Sequence, residues 1–157
     1  MKKLELYIET STWNFYYADD APEKKQVTIE FFKLVKEGIY NVFISEVVLA
    51  EIMRAPLEKR NKLVGLLKEH SPGSLSLTDE ILSLGNKYVF EGVIPSHKME
   101  DAIHAAVATV HEMDALVSWN LKHLANLRKM EMINTINMKH GFYKRLELIT
   151  PMELLYA

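Results

Sequence analysis

Leu4-Glu5-Leu6-Tyr7-Ile8-Glu9-Thr10-Ser11-Thr12 opens the chain, and how it is read decides the fold. Residues 4–8 alternate with the period of a strand, and the Thr/Ser cluster ends the alternation, so Glu9 is expected in a loop at the strand's carboxyl end. A helix follows after Pro22: Ile29, Phe32 and Val35 recur at helical spacing over 28–37, and Gly38 stands where a helix would stop. Tyr40-Asn41-Val42-Phe43-Ile44 reads as the next strand. Strand, helix, strand in one short stretch is the order of a parallel sheet.

The rest of the chain continues the alternation. Ser45 is placed to cap a short helix over 46–54, which Pro56 helps to end, and a further helix is expected over 57–69. Ser71-Pro72-Gly73 reads as a turn and 75–77 as a short strand, after which Thr78-Asp79-Glu80 opens a helix ending near Gly92. Residues 97–112 give another helix and 115–118 an apolar run short enough for a buried strand. A tail helix and a last strand over 146–150 complete an α/β sheet covered on both faces, with no internal repeat.

A length of 157 residues, 48% hydrophobic and 25% charged, suits one domain spanning 1–157. The apolar runs, such as 47–50 and 103–110, are far too short to cross a bilayer, and no signal-peptide core follows Lys2-Lys3, so a cytoplasmic location without membrane attachment is expected. With no cysteine, disulfides, thiolate zinc sites and thiol nucleophiles are excluded, and any metal must be held by oxygen or imidazole. The net charge of −2 is unevenly divided. Lys122, Arg128, Lys129, Lys139, Lys144 and Arg145 face a single acid, Glu131, within residues 122–145. Such a segment is either a solvated basic surface or a phosphate-binding one.

Four residues carry the candidate chemistry. Glu9 and Asn120 each follow a strand, where ligands of parallel sheets bind. Asp101 opens the Ala-rich stretch Asp101-Ala102-Ile103-His104-Ala105-Ala106, with His104 beside it on one helical face. Glu51 follows Val47-Val48-Leu49-Ala50. Carboxylates gathered from distant segments can hold a hydrated Mg²⁺ or Mn²⁺ against a phosphate. Plainer readings stay open: Asp101 suits a helix N-terminus without any metal, and Glu51 suits the wet edge of an amphipathic helix. No HExxH pattern occurs among the six histidines, which speaks against zinc, and neither a P-loop nor GxGxxG is present. Trp119 reads as packing, or as a platform for an unpaired base.

Taken together, Tyr7-Ile8-Glu9-Thr10-Ser11, Ser45-Glu46-Val47-Val48-Leu49-Ala50-Glu51, Asp101-Ala102-Ile103-His104-Ala105-Ala106 and Ser118-Trp119-Asn120 resemble, in this order, the motifs of the PIN domain family of VapC-type toxins. The resemblance implies a three-layer α/β/α fold with a central, mostly parallel sheet. It further implies a homodimer that cleaves RNA, preferably single-stranded, with Mg²⁺ or Mn²⁺, and a partner antitoxin if the chain is the toxin of a pair. Glu9, Asp101, Glu51 and Asn120 then form the catalytic and metal set, while Thr10, Ser11, Ser118, Lys122, His123, Arg128 and Lys129 are placed to contact substrate. Two positions depart from the common pattern: Glu9 stands where Asp is usual, and Asn120 where many members carry Asp. These departures leave a second expectation open, a domain that binds RNA or protein without cutting.

Overall fold

Five parallel strands form one sheet in the order β3-β2-β1-β4-β5: β1 (Glu5–Ile8), β2 (Asn41–Ser45), β3 (Gly73–Leu75), β4 (Ala115–Val117) and β5 (Glu147–Ile149). The computed structural model describes residues 2–155; Met1, Tyr156 and Ala157, which the expected domain includes, lie outside the described residues. Helices α1 (Thr10–Phe15), α2 (Pro22–Lys36), α3 (Glu46–Met53) and α4 (Leu57–His70) follow β1 and β2, whereas α5 (Asp79–Phe90), α6 (Met99–Val110) and α7 (Leu127–Lys139) come later. Right-handed crossovers place these groups on opposite faces. The packing agrees, α1 lying against α2 and α4, and α5 against α6 and α7. This is the three-layer α/β/α arrangement expected from the sequence.

The strand order reverses direction between β1 and β4, and that switch point is where a parallel sheet opens a crevice at its carboxyl edge. Beyond half-buried Glu5, β1 lies inside, with Leu6, Tyr7 and Ile8 inaccessible to solvent, and the small side chains Ala102, Ala105, Ala106 and Ala108 give α6 a face with room for close packing.

Several boundaries differ from expectation. Residues 10–15 form α1 rather than a loop. Thr and Ser are mediocre helix formers, but the Glu9 carboxylate caps the first turn by accepting from the Ser11 amide, and Trp13 is buried against Phe32. The helix placed at 28–37 begins at Pro22, a residue pre-set for a first helical position. β3 starts at Gly73, inside the expected turn, because Ser71 in left-handed backbone already reverses the chain after α4. Gly73 is needed there: a Cβ would lie 2.6 Å from the Phe43 ring. Gly73→Ala is expected to destabilise by about 1–3 kcal/mol through this overpacking, measurable by urea unfolding. A 3-10 turn over Ser96–Lys98 delays α6 to Met99, and another spans Pro151–Leu154.

Candidate functional site

β1 ends by delivering Glu9 to the switch point, where its side chain is 4% exposed. Two hydroxyls, Ser11 Oγ and Ser118 Oγ, each donate to Glu9 Oε1 at 2.5 Å, while the Ser11 amide donates to Oε2 at 3.1 Å. The hydroxyls are themselves held: Ser11 Oγ accepts from the Trp119 amide and Ser118 Oγ from the Asn120 amide, both at 2.9 Å. The loop after β4 is thus tied to α1 through the Glu9 carboxylate.

Glu51 arrives on α3, which Ser45 caps by accepting from the Val47 amide. Its Oε1 accepts from Thr10 Oγ1 at 2.8 Å and meets His104 Nε2 at 2.5 Å; its Oε2 has no hydrogen-bond partner among the described residues. Asp101 sits in the first turn of α6, and Asn120 Nδ2 donates to its Oδ2 at 3.1 Å, leaving Oδ1 likewise without a partner among the described residues. Asn120 Oδ1 accepts from the His123 amide.

Ligand-capable atoms of Glu9, Glu51 and His104 lie within 4.8 Å of one another. Asp101 stands outside that trio but close enough to feel it electrostatically. Burial raises the Asp101 carboxyl above its ordinary range, and the charge of Glu9 raises it further, against the opposing effect of His104 and Asn120. Burial would raise Glu51 too, but the hydrogen bond and charge of His104, with Thr10 and Arg54, outweigh it and hold the group below its usual value. Burial opposes protonation of His104, yet Glu51, Glu9 and Asp101 together raise it above an ordinary histidine. No Lys or Arg bonds these acids among the described residues; Arg54 is bound by Glu100.

The sign of the Glu51–His104 coupling sets a pH dependence. His104 contributes stability that is complete below its unfolded value of about 6.5 and lost as pH rises through its raised folded value. Glu51 contributes stability present above its unfolded value of about 4.3 and lost as pH falls through its lowered folded value. Without divalent cations, the stability gap between wild type and His104→Gln is expected to be widest between about pH 4.5 and 6.5 and to narrow above that range. Urea unfolding across pH measures it.

Sequence reading set His104 beside Asp101 and Ser45 at a helix cap, but gave neither of them, nor Tyr7, a place in the site. The signal was a phenol between aliphatic Leu6 and Ile8, since a buried hydroxyl requires a partner. Tyr7 OH lies 2.7 Å from both Ser45 Oγ and His104 Nδ1.

The expected substrate contacts fare unevenly. The hydroxyls of Thr10, Ser11 and Ser118 are engaged in orienting Glu51 and Glu9. The basic run does not form a continuous face: Lys139 pairs with Glu91, Lys144 with Asp114, and Arg145 with Glu131 and Glu147. Lys129 Nζ bonds the Val93 carbonyl, and His123 is nine-tenths buried. Lys122 and Arg128 stay exposed with no acid partner among the described residues. Trp119 packs on Phe15 and donates to Thr28 Oγ1, so its buried ring is no platform for a base. A cavity of about 720 Å³ between α1, α2 and α4, lined by Phe15, Lys24 and Lys59 among others, is not lined by Glu9, Glu51 or Asp101.

The donor set fits a hard divalent cation. It offers carboxylate oxygens that have no hydrogen-bond partner among the described residues, on Glu51 and Asp101, beside the buried Glu9. It does not suit zinc, because both ring nitrogens of His104 are already engaged.

The sequence matches no protein-family model and no curated protein. Among solved structures, the crystal structure of VapBC2 from Rickettsia felis bound to a DNA fragment from their promoter contains a chain similar to this one. The TM-score is 0.54 at 17% identity, over 90% of this chain and 97% of that one. The likeness extends to the fold, a PIN-like three-layer α/β/α architecture.

Proposed function

We propose that this chain is a single-domain, metal-dependent ribonuclease that hydrolyses phosphodiester bonds of single-stranded RNA. The observation that carries this reading is the meeting of Glu9, Glu51 and His104, from three distant segments, at the switch point of a PIN-like fold, with Asp101 near enough to feel their charge. Three buried or half-buried carboxylates without a bonded Lys or Arg among the described residues repel one another, and an Mg²⁺ or Mn²⁺ ion would relieve that repulsion. Glu51, Asp101 and Glu9 would hold it, with the Asn120 amide orienting Asp101. What the cation supplies when bound is polarisation of the phosphate and a more acidic attacking water. The chain's own residues do the positioning: Ser11 and Ser118 fix Glu9, Thr10 and His104 fix Glu51, and exposed Lys122 and Arg128 are placed to meet phosphates of the strand. By the same reading the protein works in the cytoplasm as a homodimer, with an antitoxin as its protein partner.

Labelled single-stranded RNA incubated with purified protein in Mg²⁺, Mn²⁺ or EDTA tests the proposal. Cleavage is expected with either cation and not in EDTA; absence of cleavage in all three conditions counts against it. A second reading, a domain that binds RNA or protein without cutting, draws support from one observation. Glu9 already has a structural use as the cap of α1, which accounts for its burial without any metal. That reading expects RNA binding with no cleavage.

A further inference from the structure

Ser45, Tyr7, His104 and Glu51 close a circuit. Within α3 the chain runs from its cap, Ser45, to Glu51, about 9 Å along a helix. The return path is made of hydrogen bonds: Glu51 Oε1 to His104 Nε2 at 2.5 Å, His104 Nδ1 to Tyr7 OH at 2.7 Å, and Tyr7 OH back to Ser45 Oγ at 2.7 Å. Tyr7, His104 and Ser45 are inaccessible to solvent. The circuit joins β1, β2, α3 and α6, and Thr10 Oγ1 adds α1 at the same carboxylate oxygen. α3 is therefore pinned both at its N-cap and at its second turn.

Resting on the nuclease reading above, we propose that Tyr7 and His104 are positioning residues of the acidic centre: they immobilise Glu51 through Oε1, leave only Oε2 to a cation, and thereby favour Mg²⁺ over larger cations. Three features support this. His104 has no ring nitrogen left to act as a ligand itself, so whatever it does at the centre passes through Glu51. Apolar packing alone would be served by a leucine at position 104, whereas the buried imidazole requires both of its polar partners. The cation specificity follows from geometry: Mg²⁺ demands near-ideal octahedral ligands, and Ca²⁺ accepts six to eight in flexible arrangements. A carboxylate fixed in direction helps the first far more than the second.

The experiment is calorimetric titration of metal-free protein with MgCl₂ and, separately, CaCl₂, for wild type, Tyr7→Phe, His104→Leu and His104→Gln, with thermal unfolding as a fold control. Tyr7→Phe and His104→Leu are expected to lower Mg²⁺ affinity about tenfold or more, as for other outer-shell partners of metal ligands, and Ca²⁺ affinity by about threefold at most. His104→Gln keeps an N–H donor for Glu51 and should recover part of the Mg²⁺ preference. If His104→Leu does not fold, Tyr7→Phe decides alone. Folded variants with an unchanged Mg²⁺/Ca²⁺ ratio, whether both affinities are intact or both fall together, would overturn the positioning role and leave the nuclease reading standing. A wild type that binds neither cation would overturn both.

Discussion

Asp101→Asn is expected to reduce RNA cleavage by about a thousandfold, equivalent to roughly 4 kcal/mol in the transition state, while making the metal-free protein slightly more stable. Both directions follow from the same carboxylate. Burial and the charge of Glu9 hold the Asp101 carboxyl above its ordinary range, so its ionised form opposes folding at neutral pH. That opposition is relieved as pH falls through the raised folded value. Asparagine removes the charge and can still accept from Asn120 Nδ2, so the local geometry is retained. A rise in Tm of about 2 °C in EDTA is the expected scale. In excess Mg²⁺ the order should invert, because only the wild type gains the stabilisation that tight binding to the native state confers. A purely structural Asp at a helix N-terminus behaves oppositely: its loss would lower Tm in EDTA, and added cation would not separate the two proteins. Paired melting curves and cleavage assays therefore distinguish a metal-site acid from a capping one.

The places of these candidate residues were legible in the sequence because each stands at a punctuation mark: Glu9 after an alternating strand, Glu51 on a helix opened by Ser45, Asp101 at the head of an alanine-rich run, and the amide of Asn120 just past an apolar strand. Strand ends and helix starts are local signals, and in a parallel sheet they fall on one edge. The circuit behind Glu51 was not legible, because it depends on which buried side chains of β1 and α6 face each other across 97 residues of chain. No periodicity reports that. The same limit explains the basic segment. Six cations close together in sequence looked like one surface, but folding sets Lys139 and Lys144 against acids drawn from elsewhere and holds Arg145 between Glu131 and Glu147. Charge counted along a chain says little about charge across a surface until the partners are known. α1 was hidden for a related reason: six residues with poor helix propensity form a helix because of a cap and one buried indole.

That indole carries the largest expected effect on stability. Trp13 has no solvent exposure, packs against Phe32 with ring centroids 4.8 Å apart, and donates from Nε1 to the Ile8 carbonyl at 3.1 Å. Trp13→Ala leaves a large void and an unpaired carbonyl at the end of β1, and is expected to cost about 3–5 kcal/mol, a large share of the stability of a typical domain. Trp13→Phe keeps much of the apolar volume but loses the N–H donor, so a smaller loss of about 1–3 kcal/mol is expected. Denaturant titration orders the three proteins. The consequence for the acidic centre is specific, because α1 also presents Thr10 to Glu51 and Ser11 to Glu9. If α1 frays before the sheet opens, Trp13→Ala loses cation binding at denaturant concentrations where its far-ultraviolet circular dichroism is still native, since local unfolding draws on the least-buried contacts first. If binding and global structure are lost together, α1 is part of the main cooperative unit, and the site persists for as long as the fold does.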